Sequence, residues 1–379
     1  MVSHSIVLYI HVPFCIRKCN YCSFVSYRYS EADIPAYFGA IKKELSWRAN
    51  GERVRSIYFG GGTPSLLSAE YIGGVLSTIR SSFVVDESAE ITIEANPGTV
   101  NMAYLKALRK LGVNRLSLGV QSMNDSELEL LGRIHTATEA RDAVNIASSS
   151  GFANLSLDLI YGLPRQTLQD WQNTLDEVIA MKPGHLSLYA LSLEPETKMW
   201  KSIKEQTIPD IDPDVSADQY EYAEDFLSAQ GYIHYEISNW ARQGMECRHN
   251  ITYWQNSPYL GAGVAAHSHL NGHRLANTSS IDKYLAAFSD NLLPAPELDE
   301  ELSPELQLAE TAILGLRLCE GIPVDDFNRR FGIDIHEHYK QQIKELVELG
   351  LLERGDGRIL LTRRGRLLGN EAFLRFLPG

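Results

Sequence analysis

Three cysteines stand together near the start of the chain, in the run Tyr9-Ile-His-Val-Pro-Phe-Cys-Ile-Arg-Lys-Cys-Asn-Tyr-Cys-Ser-Phe24. Cys15, Cys19 and Cys22 form a CxxxCxxC array. Three thiolates on one loop can hold three irons of a four-iron cluster, whereas a closed electron-transfer cluster takes four. Ser23 and Phe24 follow Cys22, so no fourth thiol is at hand and one iron is left open to a ligand from outside. A structural zinc site is the plainer alternative, but it needs a second ligand pair downstream, and none is obvious. Chance spacing competes less well, because three of the five cysteines fall in this one stretch.

A second run, Glu246-Cys247-Arg248-His249-Asn250-Ile251-Thr252-Tyr253-Trp254, sets a histidine among aromatics. A lone histidine in such company is usually packed and hydrogen-bonded. Imidazole is also a standard axial ligand of haem iron, and Tyr and Trp make apolar walls for a porphyrin. Cys247 either joins in ligation or does nothing; its position does not decide. His267, His269 and His273 lie in a Gly-rich stretch and read as shaping a cavity rather than binding a metal.

The elements that must position these residues alternate between short apolar strands and helical stretches, which implies parallel βαβ units. Strands are expected at residues 6–11, 56–59, 90–95, 115–120, 154–160 and 185–191. Helices are expected between them, for example at 36–49, 102–111, 137–149 and 168–181. Six units are too few to close an eight-stranded barrel, so an α/β fold with a partial, open (β/α)6 barrel is expected; a doubly wound sheet is the alternative. The cysteine loop follows strand one and Gly60-Gly61-Gly62-Thr63-Pro64 follows strand two. Glu94 ends strand three, Gln121 ends strand four, and Asp158 lies late in strand five. Polar or glycine residues at successive carboxyl ends describe one mouth. Residues 232–298, rich in Asn, His, Gly and aromatics, read as an elaboration closing over it. Beyond the acidic segment 294–304, helices at 305–318, 324–331 and 335–349 precede a hairpin at 350–361 with Asp-Gly at its turn. That order suggests a small winged-helix-like α+β domain, giving units 1–231, 232–300 and 301–379. The last of these packs against the rest or recruits a protein.

The chain of 379 residues is 44% hydrophobic and 22% charged, which suits a globular protein with one large core and a smaller domain. A formal net charge of −13 argues against a general nucleic-acid binder. Five cysteines do not suggest a disulfide framework, and a reducing cytoplasm fits them. The apolar run at residues 6–10 reads as neither a signal peptide nor a membrane span.

The cysteine loop resembles that of radical S-adenosylmethionine (SAM) proteins, in which SAM chelates the fourth iron. With its flanking Tyr-Ile-His-Val-Pro-Phe it resembles the branch holding the oxygen-independent coproporphyrinogen III oxidases and the haem chaperones called HemW, over nearly the whole chain. The resemblance implies that Cys15, Cys19 and Cys22 hold a [4Fe–4S] cluster. It further implies that Tyr9, Tyr21, Gly61, Gly62, Thr63, Glu94, Gln121, Arg133, Asp158 and Ala190 surround SAM, with Glu94 on a ribose hydroxyl. A buried Arg133–Asp158 ion pair is the structural alternative. His-Asn-Ile-Thr-Tyr-Trp fits the HNxxYW pattern of the chaperones, which implies haem binding by His249, Asn250, Tyr253 and Trp254.

Two functions then compete. One is a haem chaperone delivering haem to acceptor apoproteins, with an electron donor serving its cluster. The other is an oxidative decarboxylase of coproporphyrinogen III in porphyrin biosynthesis. The oxidase loop resembles CxxxCxxCxC, with a cysteine where Phe24 stands here, and the oxidase carries an N-terminal extension where only eight residues precede Tyr9. The chaperone is therefore expected and oxidase activity is not. A radical enzyme acting on RNA fits the acidic composition poorly.

Overall fold

In the computed structural model, which describes residues 5–378, the six expected strands lie side by side in one sheet. They are β1 (Ser5–Val12), β2 (Arg53–Gly61), β3 (Val84–Ala95), β4 (Arg115–Gln121), β5 (Asn154–Tyr161) and β6 (His185–Ala190). Each pairs in parallel with the next. The crossovers carry α1 (Ile34–Arg48), α2 (Ala69–Ser82), α3 (Met102–Leu111), α4 (Asp125–Leu131), α5 (Ala137–Ser149) and α6 (Leu168–Ala180). Thr136 with Glu139, and Thr167 with Asp170, close capping boxes that fix where α5 and α6 begin.

Alternation along the strands makes the two faces of the sheet unlike. Ile57 and Phe59, Ile91 and Ile93, Leu116 and Leu118, and Leu155 and Leu157 join the large core beneath the helices. Each such side chain stabilises the fold by about 1.5–3 kcal/mol. The intervening residues, among them Tyr58, Glu94, Arg115, Ser117 and Asp158, line a cavity on the concave face. Parallel strands covered on both sides usually read as unbroken apolar runs. Here one face is polar, because it encloses a lumen and not a second core.

Residues 232–300 do not close over the mouth, contrary to the expectation from composition. After α7 (Lys198–Lys204) and α8 (Pro213–Ala229), β8 (Asn239–Ala241) pairs antiparallel with β6, and β7 (Ile233–Glu236) pairs antiparallel with β8 at the sheet edge. α9 (Arg248–Trp254) then crosses the concave face. β9 (Tyr259–Ala262) pairs in parallel with β1 at the other edge, followed by the antiparallel β10 (His267–Leu270), β11 (His273–Ala276) and β12 (Leu298–Glu301). The result is an open twelve-stranded sheet with seven parallel strands at its centre. What pins the added edge is Glu44 of α1, wholly buried, whose carboxylate accepts from Gly263 N at 2.9 Å, Asn277 Nδ2 at 2.8 Å and the Tyr284 hydroxyl at 2.6 Å. Tyr284 belongs to α10 (Ile281–Ser289). His267, His269 and His273 ride on this edge meander and line no part of the central cavity, so the cavity-shaping role expected of them does not hold.

The C-terminal segment opens with α11 (Pro304–Gly315) and has its own core, including Leu308, Ile322, Phe327, Ile343, Ile359 and Phe376. Its hairpin pairs Leu352 with Leu361 and Gly355 with Arg358. The turn residues Asp356 and Gly357 take φ of 51° and 71°, the positive pair that a tight two-residue turn requires.

Candidate functional site

The site is a single cavity of about 510 Å³ that runs from the cysteine loop down the lumen to Asn250 of α9. Its size lies within the roughly 300–1,000 Å³ usual for ligand pockets. It has a mouth, a waist and a floor.

At the mouth, Cys15, Cys19 and Cys22 are free thiols, all half-buried. Burial raises the pKa of Cys15 and of Cys22. A chain of hydrogen bonds joins two of them. Thr63 Oγ1 donates to Cys15 Sγ at 3.7 Å and accepts from Asn96 Nδ2 at 3.1 Å. Asn96 Oδ1 accepts from Arg133, whose other nitrogen donates to Cys19 Sγ at 3.4 Å. Arg133 is further fixed by the Gly119 carbonyl at 2.8 Å. Among the described residues, no three His, Cys, Asp or Glu side chains converge closely enough for one metal ion. A structural zinc site needs that convergence, whereas cluster thiolates each take a separate iron. The donor set fits a cluster.

The glycine turn brings backbone close to this loop. At Gly61 φ is +116° and a Cβ would lie 2.5 Å from the His11 ring; at Gly62 a Cβ would lie 2.7 Å from the Phe14 carbonyl. Only glycine fits such approaches. Gln121 takes φ of 70° at the end of β4, a strained setting for a residue with a side chain. Tyr21, Gln121 and Ala190 all line the cavity. Tyr9 lies outside that lining, its hydroxyl 3.1 Å from His11 Nδ1.

At the waist, Glu94 accepts from the Tyr58 hydroxyl at 2.9 Å and from Gly61 N at 3.1 Å. Burial pushes its pKa up to about 7, against the pull of the Tyr58 hydrogen bond. Asp158 accepts from Ser117 at 2.8 Å and from Ser156 at 3.1 Å, and burial raises its pKa too. No Arg133–Asp158 ion pair forms, since each has other partners. That structural alternative is set aside.

The floor is α9, lying against Ser56 of β2 and Glu90 of β3. Glu90 accepts from the backbone N–H groups of Arg248 and His249, both at 3.1 Å. His249 is 1% exposed, with Nδ1 2.8 Å from Ser56 Oγ and Nε2 2.9 Å from the Tyr253 hydroxyl. Both ring nitrogens are engaged. Burial, with the nearby charge of Arg115, lowers its pKa to about 3, so the imidazole is neutral. Cys247 is wholly buried and its thiol is pushed up to about 12 by burial. Of the HNxxYW side chains only Asn250 lines the cavity. Tyr253 packs edge-on against Tyr259, and Trp254 lies under the Arg317 guanidinium, 4.3 Å from its ring centre. The motif is thus divided between lumen and C-terminal segment.

Sequence reasoning missed Asn96, Tyr58, Arg115, Ser117 and Ser187, all of which line the cavity. A signal existed: in Arg115-Leu-Ser-Leu-Gly-Val-Gln121 every second residue is polar or glycine.

Residues 9–178 match the radical SAM superfamily, and residues 302–368 match the HemN C-terminal domain. The haem chaperone HemW of Lactococcus lactis is 37% identical over 97% of this chain and 96% of its own length. HemW of Escherichia coli is 34% identical over 98% of this chain and 97% of its own. The chain belongs to the HemW haem chaperone family of radical SAM proteins. Coproporphyrinogen III oxidase (HemN) of Escherichia coli, a radical SAM enzyme, shares the fold with a TM-score of 0.85 at 25% identity, over 99% of this chain and 90% of that one. The open sheet of the radical SAM type thus agrees with the fold class expected. Among the described residues no helix is long and apolar enough to cross a membrane.

Proposed function

We propose that this HemW family member is a haem chaperone that holds a [4Fe–4S] cluster on Cys15, Cys19 and Cys22, SAM beside it, and haem through the HNxxYW segment for delivery to acceptor apoproteins. The observation that carries the reading is the near full-length identity to haem chaperones in a chain that keeps His249-Asn250 and Tyr253-Trp254 on one short helix beneath the cysteine mouth. When bound, the cluster supplies an electron to SAM, delivered by a donor protein.

The residues have distinct tasks. Arg133 and Thr63 hold the cysteine loop through Asn96 and steady the charge on sulfur. Gly61 and Gly62 let backbone approach the mouth, with Tyr21, Gln121 and Ala190 as walls. Glu94 accepts a ribose hydroxyl, and Asp158 offers a second acceptor deeper in the lumen. Tyr9 backs the waist through Tyr58, whose ring lies 6.2 Å away, centre to centre. His249, neutral at physiological pH, is in the protonation state that ligates iron. Both ring nitrogens are now hydrogen-bonded, so His249 would have to give up one of these bonds to hold haem iron. Residues 1–231 act as the radical SAM unit, 232–300 carry the haem segment, and 301–379 brace that segment or meet the acceptor.

The test is anaerobic incubation with coproporphyrinogen III, SAM and a reductant, followed by chromatography of the porphyrins and by haem transfer to an apoprotein. Transfer without decarboxylation is expected. Loss of two carboxyl groups per substrate over many turnovers would make the protein an oxidase.

A further inference from the structure

Arg115, the first residue of β4, is 2% exposed and lines the lumen, yet among the described residues its guanidinium makes no hydrogen bond and has no carboxylate within 4.0 Å; its Nε is fully enclosed without a partner. A buried arginine is ordinarily paired, because an uncompensated charge in a protein interior is strongly destabilising. Three carboxylates surround it, and each is committed elsewhere. Glu90 holds the start of α9, Glu94 holds Tyr58 and Gly61, and Asp158 holds Ser117 and Ser156. The Asn250 amide, on the same cavity wall, also has no side-chain partner among the described residues. The guanidinium and the Asn250 amide therefore line one cavity with no side-chain partner for either among the described residues.

We propose that Arg115, with Asn250, is a carboxylate-recognition subsite at the floor of the lumen, and that it receives a propionate of the tetrapyrrole. The proposal rests on the haem reading above and adds to it a specific contact. Guanidinium suits this task because its planar fork engages both carboxylate oxygens at once. SAM is the other carboxylate-bearing ligand of that reading, but its carboxylate belongs at the cluster. Arg115 lies six residues below Gln121 on the same strand, roughly 20 Å at about 3.3 Å per residue. Asn250, which follows His249 on α9, lines the same cavity as Arg115. A tetrapyrrole ligated from α9 would bring its propionate edge toward Arg115.

The test titrates the full chain, cluster loaded, with protoporphyrin IX and with its dimethyl ester, which has no carboxylate. The metal-free pair reads propionate recognition without iron ligation. The wild type should bind the free acid about tenfold to a hundredfold more tightly than the ester. Arg115→Met should reduce that ratio to within about threefold, and Arg115→Lys should keep part of it, because charge remains and the fork is lost. Unchanged cluster iron and circular dichroism establish that both variants fold; if Arg115→Met does not, the Arg115→Lys ratio decides. Equal wild-type affinity for acid and ester overturns the proposal, as does a wild-type ratio retained in Arg115→Lys and Arg115→Met, or competition of the acid by SAM alone. His249→Ala separates the two readings. If its iron spectrum with haem matches that of the wild type while acid–ester discrimination persists, His249 is not the ligand but the Arg115 subsite stands.

Discussion

The mouth and the floor of the lumen are built on opposite plans. At the mouth the three thiols are half-buried and free; Thr63 and Arg133 touch sulfur from outside, and Asn96 ties the two together. At the floor His249 is buried, bonded at both nitrogens, and carried on a helix whose first amides are held by Glu90. The far end of that helix is held as well: Arg330 of the C-terminal segment donates to the Gln255 and Asn256 carbonyls at 3.0 and 2.8 Å, and Asn256 donates to Thr311 of α11 at 2.9 Å. The sulfurs of the mouth are partly exposed and already unpaired. A ligand to His249 needs bonds to break first. A carrier that must take up and release its cargo has use for that second plan.

The largest effect expected is the complete loss of cluster iron. Replacing Cys15, Cys19 and Cys22 by Ala should take the chain from about four irons to none, with its haem titration unaltered. Loss of haem binding in that variant would break the separation of mouth from floor. The reverse substitution, His249→Ala, should weaken haem binding tenfold or more or move the Soret band, leaving iron content alone. An unchanged titration and spectrum would return His249 to packing.

A smaller effect sharpens the waist between them. Glu94 has a pKa of about 7, above the ordinary carboxylate value, because burial disfavours its charge. The folded chain therefore holds a proton that the unfolded chain has released, and stability falls as pH rises from about 5 to 8. By linkage that shift is worth about 3 kcal/mol across the range. Glu94→Gln should flatten that part of the curve in urea titrations of the apoprotein. A wild-type curve already flat would mean the carboxylate is ionised throughout.

The fold was legible wherever local signals agreed. The alternation of apolar strands with helical stretches placed the six strands and the bounds of α3 and α5, and Asp356-Gly357 marked the wing turn. The edges were not legible. β9 reaches β1 and Glu44 reaches Gly263 and Asn277 across more than two hundred residues, and no local pattern encodes such pairing. The mouth could be read because three cysteines in one loop carry their own spacing. The floor could not, because its partners, Ser56, Glu90 and Arg115, come from three different strands. Reading strand ends alone also overlooked the polar face lower down, where Arg115 and Ser117 alternate with leucines.

Stopped-flow mixing with excess haem tests the contrast most directly. If His249 must leave Ser56 and Tyr253 before it meets iron, the observed rate should level off as haem concentration rises, at the rate of opening. Ser56→Ala removes one closing bond, which contributes about 1 kcal/mol, and should raise that plateau about fivefold. A rate that climbs linearly with haem and is the same in both proteins would mean that the floor is already open, and the account would be wrong.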